Sequence, residues 1–342
     1  MFLGPLGGEP SGARITGGIL VVAPSWIGDT IMMQPLLMRL RELHPQAGIH
    51  VLAPAWSAPL LARMPEVTAS IGNPFAHGKF DWTGRKALGC RLAKADFQQA
   101  YVLPNSWKSA LAPFFAKIPE RIGYHGEARY VLLNRRFPKS TLPRLVDRYA
   151  SLAGDFATPT PEPRLSSTPE QQQAARAALG QAQDTAPVVF CPGAEYGPAK
   201  RWPIHHYAAL AKMLDKPVWI IGSHKDAPVG AEIEQLSEGK ALNLCGRTNL
   251  EQAIDLIAGA HAVVSNDSGL MHVAAALNRP MVALYGSSSP AYTPPLSARA
   301  TILSLGLDCS PCFKRECPLG PPDTLRCLED IAPEHVLAAL KL

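Results

Sequence analysis

Short apolar runs alternate with amphipathic segments along most of the chain. This alternation is typical of βαβ units, in which a helix follows each strand of a parallel sheet. The apolar runs of the first half predict strands at Gly18–Ala23, Ile49–Ala53, Val67–Ile71 and Ala100–Leu103. The segments between and after them predict helices at Thr30–Leu43, Ala55–Arg63, Arg85–Lys94 and Trp107–Ala116. We therefore expect the first half to form a doubly wound α/β domain.

A polar, proline-rich segment at residues 158–170 interrupts this pattern and predicts a linker. After it, strands are expected at Pro187–Cys191, Val218–Gly222, Ala241–Leu244, Ala262–Ser265 and Met281–Tyr285. Helices are expected to begin near Ile204, Asp226, Leu250, Ser268 and Pro333. These boundaries predict an extension at residues 1–18, an N-terminal Rossmann-like domain at 19–157 and a C-terminal one at 171–342. Two such domains that face each other place a ligand site in the cleft, at the carboxyl ends of their strands.

The composition is typical of two globular domains in a reducing compartment. The 342 residues are 47% hydrophobic and 18% charged, which is enough for two cores. No run approaches the roughly 18 apolar residues of a membrane span, and the start of the chain lacks the basic and apolar regions of a signal peptide. Seven cysteines, an odd number that includes Cys90, Cys191 and Cys245 in apolar segments, argue against a disulfide scaffold. We therefore expect a cytoplasmic protein without a transmembrane segment.

Charge is divided unevenly between the two halves. Residues 1–157 hold 18 Lys and Arg against 10 Asp and Glu, an excess of eight positive charges. Residues 158–342 hold 15 against 18, an excess of three negative charges. This asymmetry predicts an anionic partner for the N-terminal half. The chain shows no recognisable nucleic-acid-binding module and no interleaved aromatic residues, so nucleic acid is not the expected partner.

The first candidate for chemistry is Asp29, in ILVVAPSWIGDT, which runs from a buried strand through a turn into a helix. The segment lacks G-x-G-x-x-G, and the chain has no G-x-x-x-x-G-K-[ST], so neither a dinucleotide oxidoreductase nor a P-loop enzyme is favoured. A helix N-terminus keeps a carboxylate ionised, and an ionised carboxylate in a cleft can act as a general base toward a hydroxyl. A simple helix-capping role for Asp29 is the alternative.

The second candidate is the loop in FCPGAEYGPAKRWP, which lies between a strand and a helix. Gly193 and Gly197 let backbone amides approach a ligand, and Lys200 supplies a cation beside them. This combination suits a diphosphate whose leaving charge must be stabilised. The alternative is that Lys200 is an ordinary solvated side chain.

The third candidate is the junction in VVSNDSGLMHVAAA, where a strand ends and a helix begins at Asp267, Ser268 and Gly269. The free amides of the helix start suit phosphate oxygens, and the Asp267 carboxylate can accept hydrogen bonds from sugar hydroxyls. His272 follows one turn later on the face of Ser268. A packed histidine without a ligand role is the alternative for His272.

Metal and cofactor are not expected at these junctions. No D-x-D occurs in the chain, although metal-dependent sugar transferases commonly hold a divalent ion with that pair. Lys200 and two helix N-termini can neutralise the same charge. Four cysteines near the C-terminus, Cys309, Cys312, Cys317 and Cys327, have a spacing that allows structural zinc. Only the first pair has the common C-x2-C spacing, so reduced thiols without metal are the favoured interpretation.

These segments, in this order, resemble the ADP-heptose:lipopolysaccharide heptosyltransferases of glycosyltransferase family 9, from about Ile19 to the C-terminus. The resemblance lies in APSWIGD, VLAPAW, RMPEV, YVLPNSWKSAL, CPGAEYGPAKRWP and NDSGLMHVAAALNRPMVALYG. It implies a GT-B fold, ADP-L-glycero-β-D-manno-heptose as donor, and an anionic acceptor at the inner membrane surface. That acceptor is an inner core with one heptose on Kdo-lipid A. The implied reaction is a single displacement that inverts the anomeric centre without a metal.

The resemblance also implies roles for individual residues. Asp29 is the implied base, Lys200 contacts the diphosphate and Asp226 holds the ribose. The remaining implied donor contacts are Gly193, Asp267, Ser268, Gly269 and His272. Lys108, in NSWKSA, is the implied acceptor contact, and Arg121 is a weaker candidate for the same role.

The chain departs from the family in two places. Ala194-Glu195-Tyr196 stands where a related member has paired threonines, and we expect Glu195 to turn toward donor hydroxyls because it would repel a diphosphate. The cysteine cluster is not general in the family. Two alternatives stay open: a family 9 heptosyltransferase with another core acceptor, and a nucleotide-sugar-binding protein without turnover. The second would keep Lys200 and Asp267 but would not need Asp29.

Overall fold

The computed structural model describes residues 17–75, 78–181 and 186–341. The chain divides into two compact units, Met1–Glu162 and Pro163–Leu342, which we call unit 1 and unit 2. The division falls inside the segment 158–170 that the sequence predicts as a linker. Most of the expected extension, residues 1–16, lies outside the described residues, and Gly18 already belongs to the first strand.

Unit 1 is built on a six-stranded parallel sheet with the order β3-β2-β1-β4-β5-β6. Its strands are β1 (Gly18–Val22), β2 (Ile49–Pro54), β3 (Ala69–Asn73), β4 (Phe97–Val102), β5 (Glu120–Tyr124) and β6 (Arg135–Phe137). Its helices are α1 (Ile27–Met32), α2 (Gln34–Leu43), α3 (Ala58–Leu61), α4 (Trp82–Leu92), α5 (Leu111–Phe115) and α6 (Leu145–Ala150). The middle strands β1 and β4 are almost wholly buried, because helices cover both faces of a parallel sheet.

Unit 2 repeats this architecture. Its parallel sheet has the order β12-β11-β10-β7-β8-β9. Its strands are β7 (Val188–Cys191), β8 (Val218–Ile220), β9 (Ala241–Asn243), β10 (Ala262–Asn266), β11 (Met281–Leu284) and β12 (Ala300–Leu303). Its helices are α7 (Pro169–Ala177), α8 (Ile204–Met213), α9 (Ala227–Leu236), α10 (Leu250–Ala258), α11 (Gly269–Ala276), α12 (Arg326–Glu329) and α13 (Pro333–Leu340). Its core contains the large, fully buried side chains of Trp202, Tyr207 and Phe190.

The strand order places a ligand site in each unit. In unit 1 the order reverses between β1 and β4, and in unit 2 it reverses between β7 and β10. At such a reversal the loops that follow the two central strands diverge and leave a crevice at the carboxyl ends of the strands. Asp29 follows β1, Lys108 follows β4, Lys200 follows β7 and Asp267 follows β10. All four are therefore at the positions where this topology binds ligands.

Three strands were not predicted, and each belongs to the outer part of a sheet. β5 and β6 read ERIGY and RRF and are only partly buried, and β12 is partly exposed as well. Edge strands bury one face or less, so they lack the continuous apolar run that reveals a central strand. β3 begins at Ala69, two residues after its predicted start.

The single helix predicted at Thr30–Leu43 is wrong in two respects. It starts earlier, at Ile27, and it is divided at Met33 into α1 and α2. Pro35 explains the division, because proline has no N–H and is tolerated in the first turn of a new helix. Since Trp26 is the N-cap of α1, Asp29 lies in the first turn of the helix and is not its cap.

Hydrogen bonds order the chain on both sides of the division. The guanidinium of Arg39 on α2 donates to the carbonyl oxygens of Thr158 and Pro159, at 2.9 and 2.6 Å. The N–H of Leu165 donates to the carbonyl oxygen of Ala276, 2.9 Å away.

Among the described helices, none is long and apolar enough to cross a membrane.

Candidate active site

The loop after β7 is held in place by Asn266, the last residue of β10. The Asn266 side-chain oxygen accepts hydrogen bonds from the backbone N–H of Trp202 at 3.0 Å and from the Tyr207 hydroxyl at 3.1 Å. Its side-chain nitrogen donates to the carbonyl oxygen of Pro192, 2.6 Å away. Asn266 is completely buried, so these bonds fix both ends of the Lys200 loop to the neighbouring strand. Sequence reasoning missed Asn266, although it stands directly before the Asp267-Ser268-Gly269 motif.

Lys200, Asp267 and His272 come together at this junction. Lys200 Nζ lies 2.5 Å from Asp267 Oδ2, and the two side chains are 18% and 5% exposed. Burial lowers the pKa of His272 to about 4, while Asp267 acts to raise it and Lys200 to lower it further. His272 is therefore neutral at pH 7, and Lys200 supplies the positive charge of this site. The alternative of a solvated Lys200 does not fit its ion pair.

The start of α11 completes this group. Ser268 is the N-cap residue of α11, and Gly269 is the first residue of the helix. Within the described part of the chain, the Ser268 side chain makes no capping hydrogen bond to the helix amides. Free backbone N–H groups at a helix start suit a phosphate oxygen.

Asp226 and Gly193 are also brought together. Asp226 Oδ2 accepts hydrogen bonds from the backbone N–H and the hydroxyl of Ser223, at 2.9 and 2.7 Å. A Cβ atom placed on Gly193 would lie 2.7 Å from the Asp226 carboxylate, and one placed on Gly222 would lie 2.9 Å from Asp226 Cβ. Both contacts are too short for a side chain, so each glycine is needed for the carboxylate to lie against the β7 loop.

Glu195 forms an ion pair with a lysine outside the loop. Its Oε1 lies 2.6 Å from Lys225 Nζ, and both side chains are exposed. The orientation of Glu195 toward donor hydroxyls stays a prediction. The next residue, Tyr196, contacts Lys200 through its ring, whose centre is 5.3 Å from Nζ.

The cysteine-containing segment, residues 309–327, contacts the loop that carries Tyr196 and Lys200. The Tyr196 hydroxyl donates to the Phe313 carbonyl at 2.8 Å, and Arg315 Nε donates to the Tyr196 carbonyl at 2.7 Å. A Cβ on Gly197 would lie 2.4 Å from the Arg315 carbonyl oxygen, so only glycine permits this approach. The four cysteines of the segment, Cys309, Cys312, Cys317 and Cys327, are all free thiols. Burial, and then the other three thiols, raise the pKa of Cys327 to about 11.

Two serines after β11 are further candidates that sequence reasoning missed. Ser287 and Ser288 are 2% and 5% exposed. Their hydroxyl oxygens have no hydrogen-bond partner among the residues that the structure describes. β11 pairs with β10, so both serines follow a strand next to the sheet reversal. Buried hydroxyls without partners are uncommon and are often satisfied by a ligand or by water.

In unit 1, Asp29 and Lys108 line one cavity of about 630 Å³. The cavity lies at the sheet reversal, between the segments that follow β1 and β4. Asp29 is half-buried in the first turn of α1, where the positive end of the helix dipole favours its ionised form. The structure therefore places the predicted base and the predicted acceptor lysine in one cavity.

Two buried arginines position the Lys108 loop, and neither was singled out from the sequence. Arg85 on α4 donates to the Lys108 carbonyl oxygen at 3.0 Å, and burial lowers its pKa. Arg129 is 2% exposed and donates to the carbonyl oxygens of Pro104 and Tyr124. Arginine side chains buried on backbone carbonyls act as rigid braces, because the guanidinium offers several fixed donors.

Aromatic rings form one side of the cavity. Phe80, Trp82 and Trp107 pack with ring centres 6.0 to 6.4 Å apart, and Phe80 and Trp82 are 58% and 46% exposed. Phe80 and Trp107 line the cavity together with Trp26. Exposed aromatic rings beside a polar cavity are typical of ligand contacts.

Arg121 lies apart from this group. Its guanidinium donates to the carbonyl oxygens of Leu132 and Ile118, at 2.8 and 2.6 Å, and lies 5.7 Å from the Phe114 ring centre. Arg121 is not among the residues that line the described cavity. Its contacts give it a bracing role at β5.

Comparison with known proteins decides the family. Residues 85–322 match the family model for glycosyltransferase family 9 (heptosyltransferase). The chain belongs to glycosyltransferase family 9. The lipooligosaccharide heptosyltransferase 2 of Haemophilus influenzae is 48% identical over 310 residues, which cover 84% of this chain and 88% of the relative. The lipopolysaccharide heptosyltransferase 2 of Escherichia coli is 45% identical over 340 residues, covering 94% and 97%.

A solved structure agrees with this assignment. The structure of E. coli ADP-heptose lps heptosyltransferase II matches with a TM-score of 0.83 and 42% identity, and covers 95% of this chain and 97% of that one. This confirms the predicted α/β fold of GT-B type, with two Rossmann-like domains, and the enzyme class of a glycosyltransferase. The family match includes Lys108, Lys200 and Asp267, whereas Asp29 precedes the matched residues.

Proposed function

We propose that this family 9 enzyme transfers L-glycero-D-manno-heptose from ADP-heptose onto the first heptose of the lipopolysaccharide inner core, heptosyl-Kdo2-lipid A. The observation that carries the proposal is the cluster of Lys200, Asp267 and His272 at the sheet reversal of unit 2. It lies in a chain 42% identical to a structure described as an ADP-heptose heptosyltransferase. The relatives at 48% and 45% identity are named lipooligosaccharide heptosyltransferase 2 and lipopolysaccharide heptosyltransferase 2.

Lys200 is the proposed partner of the diphosphate. Its ammonium is preorganised by Asp267, and a doubly charged leaving group attracts it more strongly than one carboxylate does. When the donor binds, the Asp267 carboxylate accepts hydrogen bonds from sugar hydroxyls. The backbone N–H groups of Ser268 and Gly269 donate to the phosphate oxygens. The His272 imidazole acts beside these groups as a neutral hydrogen-bonding partner of the donor, because its lowered pKa leaves it without a positive charge at pH 7. Asp226 is the proposed ribose contact, with Gly193 beside it.

Asp29 is the proposed general base. Its carboxylate takes the proton of the acceptor hydroxyl as that oxygen forms a bond to the anomeric carbon of the heptose. The bond from that carbon to the ADP oxygen breaks, and its electron pair leaves with the diphosphate, whose charge Lys200 stabilises. One displacement of this kind inverts the anomeric centre.

The acceptor is proposed to bind in the cavity of unit 1. Lys108 and Arg85 line this cavity, and residues 1–157 carry eight excess positive charges. Inner-core lipopolysaccharide carries phosphates and Kdo carboxylates, so this charge attracts it. Arg121 does not line the described cavity and binds backbone carbonyl oxygens, so it is only a weaker candidate for a contact with parts of the acceptor that extend beyond the cavity. The proposed location is the cytoplasm, at the face of the inner membrane where such an acceptor is exposed.

The reaction is proposed to need no metal and no cofactor, because Lys200 and the start of α11 carry the charge on the leaving group. The test is mass spectrometry of products from ADP-heptose and two acceptors, Kdo2-lipid A with and without its first heptose. We expect one heptose to be added only to the acceptor that already carries one, with EDTA present or absent. Transfer to the acceptor that lacks the first heptose would indicate a different acceptor specificity within family 9. Loss of turnover in EDTA, restored by Mg²⁺, would contradict the metal-free mechanism, and no product with either acceptor would indicate a binding protein.

A further inference from the structure

Two histidines and a glutamate form a compact group on the surface of unit 2. His205 and His206 lie in the first turn of α8, and Glu329 is the last residue of α12. Glu329 Oε1 lies 3.1 Å from His205 Nε2 and 3.9 Å from His206 Nε2. Within residues 17–75, 78–181 and 186–341, this is the one group of three such ligand atoms that lie within 4.8 Å of one another.

These separations match the spacing of ligands around a transition metal. Zn²⁺ binds histidine nitrogen and carboxylate oxygen at about 2.0–2.2 Å in a tetrahedral arrangement, which places neighbouring ligand atoms about 3.3–3.5 Å apart. The distances of 3.1 and 3.9 Å lie on either side of that value. Two imidazoles and one carboxylate suit Zn²⁺, Co²⁺ or Ni²⁺, whereas Mg²⁺ prefers oxygen ligands alone.

The surroundings hold the group in position. The His206 ring stacks on the buried Trp202 indole, with ring centres 5.3 Å apart and planes 29° apart. The Trp202 indole N–H donates to the carbonyl oxygen of Ile331, two residues after Glu329. The chain segments that carry the ligands on α8 and α12 are therefore linked to each other before any ion arrives. The His205 and Glu329 side chains are 60% and 44% exposed, which leaves a path for the ion and a position for water.

We propose that His205, His206 and Glu329 bind a divalent transition metal ion. Bound there, the ion cross-links α8 to α12, which is the helix that carries Cys327 and ends the cysteine-containing segment. The His206 Nε2 atom also lies 2.8 Å from the Glu329 carbonyl oxygen, and this contact yields when the nitrogen takes the ion. The competing interpretation is an ion pair between a protonated imidazole and Glu329, which needs no metal.

The test is a titration of the full-length protein, without a histidine tag, with Co²⁺. We expect one ion to bind per chain with visible d–d absorption and without the near-ultraviolet charge-transfer band that thiolate ligands produce. His205→Ala and Glu329→Gln should each weaken binding at least about tenfold, while Cys312→Ser should leave it unchanged. Zn²⁺, but not Mg²⁺, should raise the melting temperature by about 3 °C or more, because an ion that binds only the folded state stabilises it.

Three results would overturn the proposal. One is equal Co²⁺ affinity in wild type and in the His205→Ala variant. Another is a thiolate charge-transfer band that disappears in Cys312→Ser, because this would place the ion on the cysteines. The third is no binding at millimolar Co²⁺, which would leave the ion pair as the whole explanation of the group. His205 is exposed, so its replacement does not disturb the core, and Glu329→Gln removes the charge at constant shape.

Discussion

The two units use the same sheet order but build different sites at its reversal. In unit 2, the side chains bind one another: Lys200 pairs with Asp267, and Asn266 links the β7 loop to β10. In unit 1, the corresponding loops border a cavity of about 630 Å³ with exposed aromatic rings along it. Positive charge prevails in residues 1–157, whereas residues 158–342 carry a small negative excess.

In the proposed function, one topology serves two kinds of ligand. A nucleotide sugar has a fixed size, so buried polar groups that are already held in position can bind it without rearranging. A larger saccharide with several negative charges is better received by an open cavity with cations and flat apolar surfaces. The loops after the central strands differ accordingly, while the sheets remain alike.

The largest effect is expected from removal of Asp29, the proposed base in unit 1. Asp29→Asn should lower kcat at least about 100-fold, the usual scale for a lost general base, while folding and ADP affinity are retained. Asp96→Asn, which changes an exposed carboxylate of the same unit, is the matched control and should turn over like wild type. Steady-state kinetics of both variants make the comparison. Normal turnover by Asp29→Asn would mean that the unit 1 cavity only binds its ligand.

Acid should weaken unit 2 through His272. The pKa of this buried imidazole is lowered from 6.5 to about 4, so between these values the unfolded chain binds a proton that the folded chain does not. Stability is therefore complete above pH 6.5 and decreases as the pH falls toward 4, by about 2 kcal/mol at pH 5. Between pH 7 and pH 5, the free energy of unfolding of His272→Gln should decrease by about 2 kcal/mol less than that of wild type, as measured by urea unfolding. His335→Gln, an exposed control, should lose as much as wild type, and equal losses in all three proteins would show that His272 does not cause the effect.

A smaller, salt-dependent effect is expected at Lys108. Lys108→Ala should raise the acceptor KM several-fold, because it removes one cation from the unit 1 cavity. Exposed charges are screened over about 8–10 Å at physiological ionic strength, so added salt should raise the KM of wild type more than that of the variant. The exposed Lys94→Ala of the same unit serves as control. If the acceptor KM and its salt dependence are the same in all three proteins, Lys108 has no part in acceptor capture.

The sequence predicted the central strands and the site motifs but not the braces around them. β1 and β7 are continuous apolar runs, β10 begins with one, and Asp29 and Asp267 follow β1 and β10 along the chain. Buried arginines such as Arg85 and Arg129 escaped prediction, because an arginine that binds distant carbonyl groups has no local pattern. The exposed ion pair of Glu195 with Lys225 escaped for the same reason, since its partners are 30 residues apart. Local pattern reveals strands and loops, whereas contacts between distant residues appear only in the folded chain.

The most direct test of the division between the units is ADP calorimetry on a pair of lysine variants. Lys200→Ala should weaken ADP binding roughly 10- to 150-fold, since a charge-assisted contact contributes about 1.5–3 kcal/mol. Lys108→Ala should bind ADP as wild type does, and so should Lys225→Ala, which removes an exposed lysine close to the Lys200 loop. Unchanged ADP affinity in Lys200→Ala, or an equal loss in Lys108→Ala, would contradict the assignment of the donor to unit 2.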